Sequence, residues 1–162
     1  MSRIENPLAQ DELLLYRLYR IHATAAPLVV RMCEQEYGIT RREWRILSSL
    51  VNREGVLSSE LASIAMLDRA RTSRNLTRLA QKNLVLRVPK PSDRREVHIY
   101  LTDEGRRLHS EVFPRIVAIQ RELLAGMTGA QREQLSELLA LLQAQATTLV
   151  AASPGPALPP LD

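Results

Sequence analysis

Residues 69–95 read RARTSRNLTRLAQKNLVLRVPKPSDRR, and the rest of the chain is arranged around them. Nine Lys or Arg (69, 71, 74, 78, 82, 87, 90, 94 and 95) stand against one acid, Asp93, a formal charge of +8. The whole chain is only +4, so the remainder carries −4 and nearly all usable positive potential lies on one segment. A stripe of this kind is the electrostatic footprint of phosphate binding. Leu76, Leu79 and Ala80 give its first half a helical apolar face and leave Arg69, Arg71, Ser73, Arg74 and Arg78 for the exterior. Asp68 is placed to cap that helix, predicted over 69–82, and Asn83 to end it in a left-handed residue. Residues 85–88 and 97–101 are rich in β-branched side chains and joined by PKPSDRRE, which predicts a two-stranded hairpin with a basic tip.

Upstream, Ser58 is expected to cap a compact helix, SSELASIAML, packed through Leu61, Ile64 and Ala65, with a very short strand at Val56 and Leu57 before it. Thr40 and Glu43 form a capping box for the preceding helix, which carries Trp44, Leu47, Leu50 and Val51 inward. Residues 11–36 predict one long helix, kinked at Pro27 and ended by Gly38. It bears two adjacent apolar stripes, one from Leu14 to Met32 and one from Leu15 to Cys33. That face is too wide for one core, so the helix is expected to pack on a second partner. Downstream, Thr102 caps a fifth helix bent at Pro114, and Thr128 with Gln131 opens a sixth. Four prolines in the last twelve residues predict a disordered tail.

At 162 residues the chain is long enough to bury a core. The single cysteine, Cys33, excludes an internal disulfide and fits a reducing compartment. No signal-peptide pattern opens the sequence, and no uninterrupted apolar run approaches the ~20 residues that span a bilayer. A cytoplasmic protein is expected, with no membrane partner. His22, His98 and His109 supply no paired ligand spacing, so no metal is expected. With no phosphate-cradling glycine loop and no nucleophile elbow, the chain reads as a non-enzyme without cofactors.

Two short helices, a tight turn and a basic hairpin make a winged helix-turn-helix, and here the chain resembles the MarR family of bacterial transcriptional regulators. The resemblance is carried by SRNLTRLAQKNLVLR and by SDRREVHIYLTDEG, with Asp93 and Arg95, then Leu101, Thr102 and Gly105. It extends over about residues 10–149 in the order of elements. Where the family commonly has Gly, this chain has Asn83, which also accepts a positive φ. The expected fold is mainly α with a small β-hairpin wing. A winged helix-turn-helix DNA-binding domain at 37–101 joins long dimerisation helices at 1–36 and 102–149, with 150–162 as the tail.

B-DNA's major groove admits a helix whose side chains reach base edges. The candidates are Arg69, Arg71, Thr72, Ser73, Arg74 and Arg78, with Ser58 and Ser59 placed to hold a phosphate. Lys90 and Ser92 add to the hairpin's DNA contacts. The resemblance implies that the hairpin enters the minor groove with Arg94 or Arg95, oriented by Asp93. A homodimer reading a palindromic operator is expected, because a lone winged helix binds weakly.

The resemblance also implies a small anionic or phenolic effector between the dimerisation helices and the winged helix. His22 is the leading candidate to hold it, with Arg17, Arg20, Trp44, Arg45 and His109 to complete a pocket of cations and apolar walls. An aromatic or heteroaromatic acid of the benzoate, hydroxybenzoate or nicotinate type is the expected ligand, releasing a repressor from its operator. The alternatives are an oxidant sensor using Cys33 and a ligand-independent DNA-binding or protein-interaction module.

Overall fold

The computed structural model describes residues 3–53 and 55–153, the side chains of Arg94 and Arg95 excepted. A 3-10 turn at Gln10–Glu12 leads into α1 (Leu14–Arg31), which loosens into a π-helical turn at Met32–Glu36. Then come α2 (Arg41–Leu50), β1 (Val56–Leu57), α3 (Ser58–Ile64), α4 (Arg69–Gln81), β2 (Val85–Lys90) and β3 (Asp93–Leu101). Two long helices close the chain, α5 (Asp103–Leu123) and α6 (Gly129–Ala152). The antiparallel sheet has the order β1-β3-β2, with Val85 opposite Leu101 and an irregularity between Pro89 and Lys90 at the hairpin tip. The architecture is the expected one, mainly helical with a small β wing.

Polar side chains set the helix boundaries. The Thr40–Glu43 and Thr128–Gln131 capping boxes are both formed, and Asp68 and Thr102 accept the backbone N–H of Arg71 and Gly105. Ser58 does not cap α3. It lies within the first turn, and Leu57 stands at the cap position with no side-chain bond. The same helix is shorter than expected because Met66 turns left-handed, with φ +52°. Leu67 N–H donates to Ala62 O and Met66 N–H to Ser63 O, a Schellman closure with methionine where glycine is usual. Asn83, φ +57°, ends α4 in the same way, with Leu84 N–H on Leu79 O.

The core lies between α2, α3, α4, the sheet and the start of α5, with Ile46, Leu47, Leu61, Leu76, Leu79, Ile99 and Val112 fully enclosed. Ile64, expected inside, lies at the surface; Ala62 takes its place. Trp44 and Val51 are only half-buried, and Ile46 fills the interior beside Leu47. Pro27 and Pro114 sit within unbroken helical spans.

No described residue of α1 or α6 is buried. Leu15, Leu18, Tyr19, Ile21 and Leu28 on α1, and Leu138, Leu139, Leu142 and Leu149 on α6, all face outward. α6 is long and apolar enough to cross a bilayer by length and composition only, and it carries Arg132, Glu133 and Glu137. The helix continues to Ala152, past the expected boundary at 149, and the remainder of the proposed tail, 154–162, is outside the described residues.

Candidate nucleic-acid interface and the clefts behind it

The helix-turn-helix is α3, the Met66–Leu67 turn and α4. On α4, Leu76 and Leu79 point inward, so residues three and four positions away share that buried side. Thr72 and Asn75 fall on it: Thr72 is 1 % exposed and its hydroxyl donates to Asp68 O. Thr72 is therefore enclosed, where the sequence reading placed it among the exposed side chains of this helix. Arg69, Ser73, Arg74 and Arg78 are exposed. Arg71 is half-buried and bonded through Nε to Asp68 at 3.1 Å, which fixes its guanidinium beside the helix start.

In the wing, Ser92 is exposed at the tip, and Lys90 pairs with Glu96. Arg94 and Arg95 belong to β3, but their side chains, and so any orienting role of Asp93 toward them, lie outside what is described. Ser58 is half-buried and Ser59 exposed at the start of α3. Two other cations of the basic run are exposed but bonded to the protein. Arg87 donates to the Thr77 hydroxyl, and Lys82 reaches Gly38 O and Glu43 Oε2.

Behind α4 lies a groove of about 650 Å³ between α1 and the start of α2. Tyr19, His22, Ala26, Pro27 and Val30 form its α1 wall, and Arg71, Arg74, Asn75 and Arg78 its α4 wall. Arg41 and Arg42 close one end, and Glu34 is the only acid among the described residues lining it. Arg41 Nη1 lies 2.8 Å from His22 Nε2. A guanidinium has no acceptor, so Nε2 accepts and the ring's proton sits on Nδ1. His22 is exposed in the groove, not a buried donor within the core.

The remaining expected pocket residues do not join it. Trp44 and Arg45 line a smaller cleft of about 370 Å³ with Arg41, Ser48, Ser49, Arg53 and Ile64. His109 stacks between Trp44 and Phe113, at 4.9 and 5.4 Å. Burial lowers the His109 pKa from its ordinary value. Burial, and then Arg41 and Arg42, lower that of Arg45. Arg17 and Arg20 are exposed on α1 and line neither cleft.

Sequence reasoning missed Arg41 and Arg42. The signal was there: adjacent cations at a helix N-terminus oppose the positive end of the helix dipole. Glu43 in the same turn does not offset them, because its carboxylate is committed to Thr40 N–H and Lys82. Arg41 and Arg42 thus form a cationic corner of the groove, with Glu34 as the acid among the described residues lining it. Cys33 is fully enclosed, and burial, then Glu34, raise its thiol pKa, so the reactive thiolate is disfavoured.

Comparison with known proteins fits this arrangement. A profile of the MarR family matches residues 39–97, the helix-turn-helix and most of the wing. The homoprotocatechuate degradative operon repressor of Escherichia coli is 30 % identical over 115 residues, covering 71 % of this chain and 78 % of that protein. Wild-type MarR of E. coli in its apo form superposes with a TM-score of 0.71 at 23 % identity, over 80 % of this chain and 96 % of that one. BpsR of Bordetella bronchiseptica, whose DNA binding is regulated by 6-hydroxynicotinic acid, superposes with a TM-score of 0.73 at 22 % identity, over 85 % and 97 %. The chain belongs to the MarR family and is a DNA-binding transcriptional regulator.

Proposed function

We propose that this regulator is a homodimeric repressor that leaves its operator when a small aromatic or heteroaromatic acid enters the groove behind α4. The observation that carries the reading is the groove itself: His22 and five arginines, 41, 42, 71, 74 and 78, converge there against one acid, Glu34. A carboxylate gains charge-assisted, bidentate bonds in such a place, and Tyr19, Ala26, Pro27 and Val30 offer an apolar wall to a ring. That an E. coli relative represses an operon for homoprotocatechuate degradation, and that BpsR responds to 6-hydroxynicotinic acid, supports the ligand class.

Arg69, Arg71, Ser73, Arg74 and Arg78 are assigned to the major groove, and Lys90, Ser92, Arg94 and Arg95 to the wing's contacts with the neighbouring backbone and minor groove. The exposed leucines of α1, α5 and α6 form the dimer interface, since helices of this length without tertiary packing are marginal in water. Two recognition helices then meet half-sites about 34–36 Å apart on the bacterial chromosome, in the cytoplasm. Arg71, Arg74 and Arg78, assigned here to the duplex, also line the groove, so an acid held there engages the same cations. That supplies the differential affinity linkage requires. About 1–3 kcal/mol of coupling gives a roughly 5–150-fold change in DNA affinity.

A thermal-shift screen of benzoates, hydroxybenzoates and nicotinates, followed by operator binding with each hit, tests this reading. His22→Ala should keep its DNA affinity and lose the ligand response. An unchanged response removes His22 from the site, and a screen without hits removes the acid.

A further inference from the structure

One cation of the basic run is bonded to the protein's own backbone and a buried carboxylate. Lys82, the residue that ends α4, places its ammonium 2.8 Å from Gly38 O and 2.9 Å from Glu43 Oε2. Gly38, φ +62°, is the left-handed corner between the first helix and α2. Glu43 is 0 % exposed, and the same Oε2 accepts the Thr40 N–H at 2.7 Å as half of the α2 capping box. Its Oε1 has no partner. The carboxylate therefore depends on two donors only, one from its own helix start and one from the end of the recognition helix. Residues 39 and 44 apart in sequence are drawn to one ammonium.

We infer that Glu43 and Lys82 are a positioning pair: they fix the C-terminal end of α4 to the corner where the dimerisation helix meets the DNA-binding domain. They thereby set how the recognition helix is held relative to its counterpart in a dimer. The Schellman closure at Asn83 ends the helix, and Thr102 bonds Asn83 O and Leu84 O, which ties that end to β2 and the start of α5. Glu43 and Lys82 are a side-chain tie from that end to the α1–α2 corner; the carboxylate is fully enclosed and the ammonium partly exposed, so removing Lys82 strands a buried charge. The pair touches no phosphate; its effect on DNA is on spacing. A helix end released from the corner still offers all its arginines to a duplex but samples more than one tilt, so half-site spacing is read less sharply.

The test uses the full-length protein and an operator selected from a random duplex pool, with versions of it lengthened or shortened by one base pair between half-sites. Lys82→Met should keep wild-type affinity and salt slope on nonspecific duplex, since no phosphate contact is lost. It should lose about fivefold or more on the selected operator, with a flattened preference for its spacing. Lys82→Arg should restore both. Glu43→Gln keeps the Thr40 bond and the packing, and should flatten the spacing preference in the same direction even if Lys82→Met is too unstable to assay. The inference is overturned if Lys82→Met lowers the nonspecific salt slope, which would make Lys82 a phosphate contact. Retention of wild-type spacing preference by either Lys82→Met or Glu43→Gln overturns it as well.

Discussion

Gly105 in the first turn of α5 has no room for a methyl group. A Cβ built there falls inside contact distance of the Leu84 carbonyl oxygen, with the carbonyl carbon at 3.1 Å and Leu101 Cδ2 at 3.2 Å. The first two are backbone, so Gly105→Ala forces either α5 or the start of the wing to move. That Leu84 carbonyl accepts the Thr102 N–H at 3.2 Å and stands at the root of β2. Overpacking of this kind costs about 1–3 kcal/mol. Weakening one backbone hydrogen bond adds about 1 kcal/mol, and the better helix propensity of alanine returns about 1 kcal/mol. The net expectation is a loss of about 1–3 kcal/mol, or roughly 3–10 °C in melting temperature for a chain of this size. Urea unfolding monitored by circular dichroism measures it. Gly126→Ala is the control, because nothing lies within 4 Å of its Cβ and it should be neutral. A Gly105→Ala protein as stable as the wild type would refute the reasoning.

Thr72→Val should cost about 1 kcal/mol through the lost bond to Asp68 O while leaving DNA affinity unchanged; weakened binding would return Thr72 to the interface. Burial lowers the His109 pKa below its ordinary 6.5, so the unfolded chain binds the proton more readily. Stability from this group is complete above pH 6.5 and declines as the pH falls below it, and His109→Phe, which continues the stack with Trp44 and Phe113, should remove that slope in urea midpoints taken at several pH values. Peroxide should leave operator binding intact, since the Cys33 thiol is enclosed and held neutral; a loss that Cys33→Ser escapes would revive oxidant sensing.

Short-range features were readable from the chain alone. The capping boxes at Thr40 and Thr128, the Asp68 cap and the Asn83 turn all depend on residues within five positions of each other, where local geometry decides the outcome. Apolar spacing gave Leu47 and Leu50 on α2 and Leu76 and Leu79 on α4, but it misassigned Trp44, Val51 and Ile64, whose places are taken by Ile46 and Ala62. Thr72 was misjudged because a small polar residue carries no burial signal, and its enclosure emerges only from the phase set by Leu76 and Leu79. The site was harder. His22 lies with Arg41, but Trp44 and Arg45 face a separate cleft and His109 is stacked between Trp44 and Phe113, because helix phase alone does not say which neighbour each face of α2 meets. The tie between Lys82 and Glu43 spans 39 residues and has no local signature.

The account rests on the arginine face of α4 gripping a duplex through its phosphates as well as its bases. Affinity for operator DNA measured against salt concentration, for the wild type and for Arg74→Ala with Arg78→Ala, tests that most directly. Each lost phosphate contact should reduce the slope of log affinity against log salt by about 0.9, so the double variant of a dimer should lose up to about 3.6. A double variant with the wild-type slope and affinity would contradict the claim.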